Sequence, residues 1–426
     1  MNKPYSDWKK DELVREKEAL HGAFNSYKAK GISLNMARGK PGEDQIQLSM
    51  PMLDILNSKS DVYAEGGIDC RNYGELTGIK EAKKLFAEYM EVSVEEIIIM
   101  GSTSLTFMND CVARAMLAGV LGSERPWVKE EKVKFLCPVP GYDRHFAICQ
   151  FMGIEMINIP TSQDGPDMDM IEKLVSADPL IKGIWIVPKF SNPMGITYSD
   201  ATVRRLAALK PAAKDFRIFC DNAYAMHEIY KDVPLLNFLQ ACKDAGNPNM
   251  VYLFGSTNKI TFPGAGLAFF AASKENIAFT EKQLSMQAIS WDKLNMLRHV
   301  RFLKNVANIR GLMKKHANIL RPKFDAVIQK LEAELAGLGA GEWIKPDGGY
   351  FVTFIAQAGC AQRIVGLCKE AGVTLTNAGA THPYGKDPED RYIRLAPSFP
   401  SPAELDTAME VFCTAVKLAT VEHALA

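Results

Sequence analysis

The chain has 426 residues, 47% of them hydrophobic and 23% charged, with fifty basic against fifty acidic side chains and a formal net charge of zero. That length allows two domains around a substantial core, and the charge balance argues against nucleic acid or an anionic membrane as partner and for small molecules. Nine cysteines without a C-x-x-C pair predict reduced core thiols, and a charged amino terminus with no apolar run of membrane-spanning length predicts a cytoplasmic protein.

From the amino terminus, Tyr5 to Lys30 reads as a polar amphipathic helix, followed by Gly- and Pro-punctuated coil in "GISLNMARGKPGEDQIQLS". As far as about residue 310, short apolar runs then alternate with helical patterns: "EEIIIMG" before a helix from Ser104, "VKFLCPVPGY", "IKGIWIVPKFSNP", "FRIFCDNAY", "NMVYLFGST" and "GLAFFAAS". Strands without polar alternation belong to a sheet buried on both faces, so the expectation is α/β with a largely parallel sheet. A long helical stretch from about Lys293 to Leu338 leads to "GGYFVTFIA", "GVTLTNAGA" and "YIRLAPSF". Their clearer alternation predicts a smaller α+β lobe with one open sheet face.

Ligands of a doubly wound sheet bind beyond the carboxyl ends of its strands, so the residues just after each apolar run are the informative ones. "GSTS" (Gly101 to Ser104) opens a helix and suits a phosphate, although alone it is also an ordinary N-cap. "SNPMG" (Ser191 to Gly195) is by itself a common turn, and the strand-end Asp221 of "DNAY" could be a helix cap. Lys259, between hydroxyl residues and glycines, is either a loop-tip lysine or an amine that attacks a carbonyl. Other signatures fail: there is no G-x-x-x-x-G-K-[ST] loop, "GAGLAF" lacks the third glycine of a dinucleotide fingerprint, and no G-x-S-x-G elbow occurs. "HEIYK" lacks the second zinc histidine, so no metal is expected.

The ordered set "GSTS", "PGYDRH", "SNPMG", "DNAY", "STNK" and "YIRLAPSF" resembles the fold-type-I pyridoxal-phosphate aminotransferases, in particular their type Ic aspartate aminotransferase branch. The similarity runs from about "ARGKP" to "APSFP". It implies an α/β fold with a large domain, whose mostly parallel sheet is covered by helices, and a smaller α+β domain. Residues 51–310 would form the large cofactor-binding domain and 311–426 the small domain, with 1–50 contributing to the small one.

The resemblance implies that Lys259 holds pyridoxal phosphate through a Schiff base and later shuttles the substrate proton, while Asp221 pairs with the pyridine nitrogen. Tyr224 and Asn192 match donors to the phenolic oxygen, Tyr142 the aromatic stacked on the ring, and Ser102, Thr103, Ser104 and Ser256 the phosphate contacts. Arg394 matches the arginine that grips the substrate α-carboxylate, and Asn192 and the backbone of Gly39 lie near the same group in the family pattern. Tyr73, in "RNYGEL", matches a tyrosine reaching the neighbouring subunit's phosphate, which implies a homodimer with shared sites. One departure stands out: no arginine follows the lysine in "ITFPGAGLAFF", which leaves Lys40 and Arg38 as candidate phosphate cations.

Amino acids and 2-oxo acids are the implied substrates, aspartate and 2-oxoglutarate first among them. A second cation for the side-chain carboxylate stays open among Arg298, Arg301, Arg71 and Arg144. An aminotransferase for aromatic or 2-aminoadipate-like substrates is the competing enzyme. A non-catalytic effector-binding module of a transcription regulator is the competing class, disfavoured because the first thirty or so residues are too short for a winged-helix domain.

Overall fold

A computed structural model describes residues 3–426. The apolar runs form one eight-stranded sheet from β1 (Ile97–Met100), β2 (Lys134–Val139), β3 (Glu155–Ser162), β4 (Gly165–Pro166), β5 (Ile181–Ile186), β6 (Arg217–Asp221), β7 (Val251–Ser256) and β8 (Ala268–Ala271). Their order is β1-β8-β7-β6-β5-β2-β3-β4. The strands from β7 across to β3 run parallel. Strand β8 is antiparallel to both of its neighbours, as is the short β4 to β3.

Successive residues of a strand point to opposite faces, and each face here has its own apolar cluster. Ile97, Ile99, Ile184, Ile218 and Leu253 join one cluster, while Ile98, Phe135, Trp185, Phe219 and Phe254 join another. Burial on both faces is why these strands read as uninterrupted apolar runs. Strand β3, only partly buried and mixed in composition, gave no such signal.

The first expected helix is Lys10–Ala29, preceded by a 3-10 turn at Tyr5–Asp7. The coil expected next contains a two-residue strand, Leu34–Asn35, and a short helix, Glu43–Gln47. The single helical stretch expected from Lys293 is two helices, Lys293–Leu303 and Val306–Leu335. Lys304, at φ 62°, breaks the first, and the Asn305 side chain caps the second by accepting from Asn308 N.

A second sheet is antiparallel: β9 (Gly341–Ile344), β10 (Val352–Ala356) and β11 (Tyr392–Leu395) in that order. "GVTLTNAGA" does not join it, since only Val373–Thr374 is extended and pairs in parallel with Leu34–Asn35. Nor is one face open. Phe354 meets Phe412 of the terminal helix Pro402–Leu425 at 5.2 Å between ring centroids, and the hydroxyl of its neighbour Thr353 donates to Pro193 O at 2.8 Å. The face expected to meet solvent therefore meets the loop after β5.

A third apolar cluster draws on both ends of the chain, from Tyr5 to Met36 and from Leu320 to Val421, and takes in Val187, Phe190, Tyr224 and Ile229 from between them. The nine cysteines are buried and unpaired. Among the described residues no helix is long and apolar enough to cross a membrane.

Candidate active site

A cleft of about 510 Å³ opens at the carboxyl ends of the parallel strands. Tyr142 reaches it from the turn after β2, Asn192 from the loop after β5, Asp221 and Tyr224 from the end of β6, and Ser256 and Lys259 from the end of β7. Thr103 and Ser104 line it from the turn after β1, Arg394 from β11 and Gly39 from the amino-terminal segment. Ser102 is exposed and does not line the cleft, and Tyr73 is 77% exposed and lies outside it.

Lys259 stands in a turn held from behind by two histidines. The hydroxyls of Thr257 and Thr261 lie 3.2 Å and 3.0 Å from His299 Nε2, and Ile260 O accepts from His316 Nε2 at 3.1 Å. In the cleft, Lys259 Nζ is 5.0 Å from the ring centroid of Tyr224 and 6.0 Å from that of Tyr350. No carboxylate among the described residues pairs with it. The enclosing walls lower the Lys259 pKa, while the charge of Asp221 pulls the other way.

Asp221 is 4% exposed and uses its two oxygens differently. Oδ2 accepts from His145 Nε2 at 3.2 Å, and the imidazole stacks on Trp185 at 4.4 Å with planes 8° apart. Oδ1 is buried without a partner. Tyr142 stands edge-on to His145 at 5.0 Å. Burial, with Asp221 and Asp143 adding to it, pushes the Tyr142 pKa up to about 12. Burial also raises Tyr224 well above its ordinary value, so both phenols keep their protons.

Arg394 is 6% exposed. Its Nη1 donates to Asn192 Oδ1 at 3.0 Å and Asp143 Oδ1 at 3.1 Å, and its Nη2 donates to Thr376 Oγ1 at 3.1 Å. Its guanidinium carbon lies 4.8 Å from the Phe351 ring centroid, and Nε is buried without a partner. A Cβ on Gly39 would come within 2.5 Å of that phenylalanine ring, so the backbone passes close only because the residue is glycine.

The helix Ser104–Ala118 starts at the cleft, and its N-cap Thr103 makes no side-chain cap bond. The "GSTS" turn is therefore not a self-satisfied cap, and first-turn N–H groups are left for an anion. Arg38 and Lys40 also line the cleft, with Lys40 Nζ 3.7 Å from the Phe399 ring centroid.

Of the arginines left open for a second carboxylate, only Arg144 lines this cleft. Arg71 is engaged by Asp69 through two hydrogen bonds of 2.8 Å, Arg301 donates to the carbonyls of Asp61 and Tyr63, and Arg298 lines a separate cavity. His145, Thr376, His299 and His316 were not singled out from the sequence. His145 had a signal there, as the last residue of "PGYDRH" one helical turn after Tyr142.

The model of the aspartate amino-transferase family matches residues 8–426. An aspartate aminotransferase of Corynebacterium glutamicum is 42% identical over 407 residues, covering 95% of this chain and 94% of that protein. A crystal structure of an aspartate transaminase from the same species has a TM-score of 0.95 at 41% identity, over 98% of this chain and 99% of the other. The α-aminoadipate aminotransferase of Thermus thermophilus, complexed with N-(5'-phosphopyridoxyl)-L-leucine, shares the fold at a TM-score of 0.74 and 20% identity, over 93% and 95% of the two chains. With a helix-flanked mixed sheet and a family match over nearly its whole length, this chain belongs to the aspartate aminotransferase family and has the fold-type-I aminotransferase fold.

Proposed function

We propose that the protein is a pyridoxal-phosphate-dependent aminotransferase that passes the amino group of aspartate to 2-oxoglutarate, yielding oxaloacetate and glutamate in two half-reactions. One observation carries the reading: an amine without an ion pair and a carboxylate oxygen without a hydrogen bond line the same cleft as a buried arginine. The donor set fits the cofactor. Asp221 Oδ1 suits the pyridinium, Lys259 the aldehyde, Tyr224 and Asn192 the phenolic oxygen, Tyr142 the ring face, and Thr103, Ser104 and Ser256 the phosphate.

Bound there, pyridoxal phosphate supplies an electron sink for the pair released when the substrate loses its α-proton. Asp221 keeps negative charge beside that sink, and His145 on Trp185 fixes the carboxylate's direction. Arg394 orients the substrate by its α-carboxylate, a task suited to a planar two-pronged donor. The amine of Lys259 then takes the α-proton and returns it on the other side of the reaction. Enclosure lowers its pKa and so favours the neutral form that a base requires. A cytoplasmic homodimer with shared sites completes the reading, and the exposure of Tyr73 leaves that side chain free to reach a partner's cleft.

Steady-state rates over a panel of amino acids test it. Aspartate with 2-oxoglutarate is expected to give the highest kcat/KM. A preference for phenylalanine or 2-aminoadipate would overturn the substrate while leaving the reaction type intact, and a protein without transamination on any of them would overturn both.

A further inference from the structure

We infer that Gln45 is a positioning residue for the reaction: its buried side-chain amide fixes the tautomer of His316, and through it the turn that carries Lys259, while holding Tyr350 beside the same amine. The inference rests on the reading of Lys259 as the reacting amine. Gln45 ends the short helix Glu43–Gln47, is fully buried and does not line the cleft. Its Oε1 accepts from Gly42 N at 3.2 Å, and this donor settles which end of the amide is oxygen. Nε2 therefore faces the other two partners, His316 Nδ1 at 3.1 Å and the Tyr350 hydroxyl at 3.0 Å.

The amide dictates the imidazole. Facing an N–H, Nδ1 of His316 has to accept, so the proton sits on Nε2, which donates to Ile260 O at 3.1 Å; Ser49 Oγ is the longer second donor, at 3.5 Å. His299, which bonds the threonine hydroxyls of the same turn, carries its proton on Nδ1 toward Asn295 O. The two histidines thus hold opposite tautomers. In the wrong tautomer His316 would set a bare nitrogen against the Ile260 carbonyl, a repulsion that a ring only 1% exposed cannot relieve with water. The Tyr350 ring centroid lies 6.0 Å from Lys259 Nζ, so one amide holds both the backbone that carries the amine and a ring beside it. Gln45 is not needed to fasten the amino-terminal segment. Lys323 Nζ binds Asp44 Oδ2 and Ser398 O, each at 3.1 Å, and Ser398 Oγ donates to Lys40 O at 2.9 Å. Three buried bonds on an amide whose segment is already fastened point to orientation rather than anchorage.

The test has two arms. In the cofactor-free protein, with histidine labelled in heavy nitrogen, magnetic-resonance correlations of the ring nitrogens are expected to show His316 as a single Nε2–H tautomer and His299 as Nδ1–H, and the His316 pattern to become mixed in Gln45→Met. In the holoenzyme, Gln45→Met is expected to lower kcat for aspartate about tenfold with KM within about twofold. His316→Leu should cost as much, and the double variant no more than either. His316→Gln should restore most of the rate, because its amide can accept from Gln45 and donate to Ile260 O as the imidazole does. The His316 variants decide the matter should Gln45→Met fail to fold. An Nδ1–H His316 in the wild type, an unchanged pattern in Gln45→Met, losses that multiply in the double variant, a raised KM with kcat intact, or a His316→Gln no faster than His316→Leu would overturn the inference. A wild-type protein without transamination whose His316 is still Nε2–H would instead undo the reading of Lys259 beneath it.

Discussion

Lys259 answers to no carboxylate in its own turn. What surrounds its Nζ is the face of Tyr224 and, further away, that of Tyr350. Enclosure therefore wins over the attraction of Asp221, and the amine is pushed toward its neutral form. Tyr224, kept protonated by burial, is the donor that favours a charged oxygen on a bound cofactor. Removing it in Tyr224→Phe is expected to raise the pH midpoint of the visible absorbance change by about one unit. An unmoved midpoint would show that Tyr224 is not that donor. Lys259 and Asp221 were legible because strand ends are where such a sheet binds ligands. His145 and Thr376 were not, since each acquires its place only from a partner far along the chain, Trp185 and Arg394.

The turn Thr257 to Thr261 depends on two successive helices. His299, on Lys293–Leu303, donates from Nδ1 to Asn295 O at 2.8 Å, which leaves Nε2 to accept from the threonine hydroxyls. That arrangement requires a neutral ring. Burial lowers its pKa from 6.5 to about 4, and His316 on Val306–Leu335 is lowered in the same direction, also chiefly by burial. Below pH 6.5 the unfolded chain takes up a proton at His299 that the folded chain refuses until about pH 4, so stability falls as pH falls through that window. The displacement corresponds to ~3 kcal/mol. Thermal unfolding from pH 7 to pH 4 is expected to show a smaller drop in Tm for His299→Gln, and parallel slopes for variant and wild type would contradict it. The sequence revealed the central strands because helices bury both their faces. It hid β3, whose composition is mixed, and it misassigned "GVTLTNAGA", whose partner is a distant segment of two residues.

The molecule assembles its cleft from two bodies of core. Asp221 and Lys259 come from the large sheet, Arg394 and Gly39 come from the small sheet and the amino-terminal segment, and Tyr224, just past β6, packs into the apolar cluster that those two share with the terminal helix. We take residues 51–310 as the large domain and 1–50 with 311–426 as the small one. Gly348 shows how tightly they meet, since a Cβ there would lie 2.3 Å from His227 O. Tyr73 is exposed and outside its own cleft, which leaves it free for the role in a partner's site that the proposed reading gives it. Tyr73→Phe is expected to weaken pyridoxal phosphate binding about tenfold. Mixed dimers with Lys259→Ala should bind it normally at the site that keeps Lys259, because that site receives the intact Tyr73. Mixed dimers that stay weak, or a monomer by sedimentation, would contradict shared sites. The most direct measurement concerns the amine on which the account turns: borohydride treatment of the protein loaded with pyridoxal phosphate, followed by peptide mass mapping. A phosphopyridoxyl group on Lys259 alone is expected, and a label on another lysine, or none, would contradict the account.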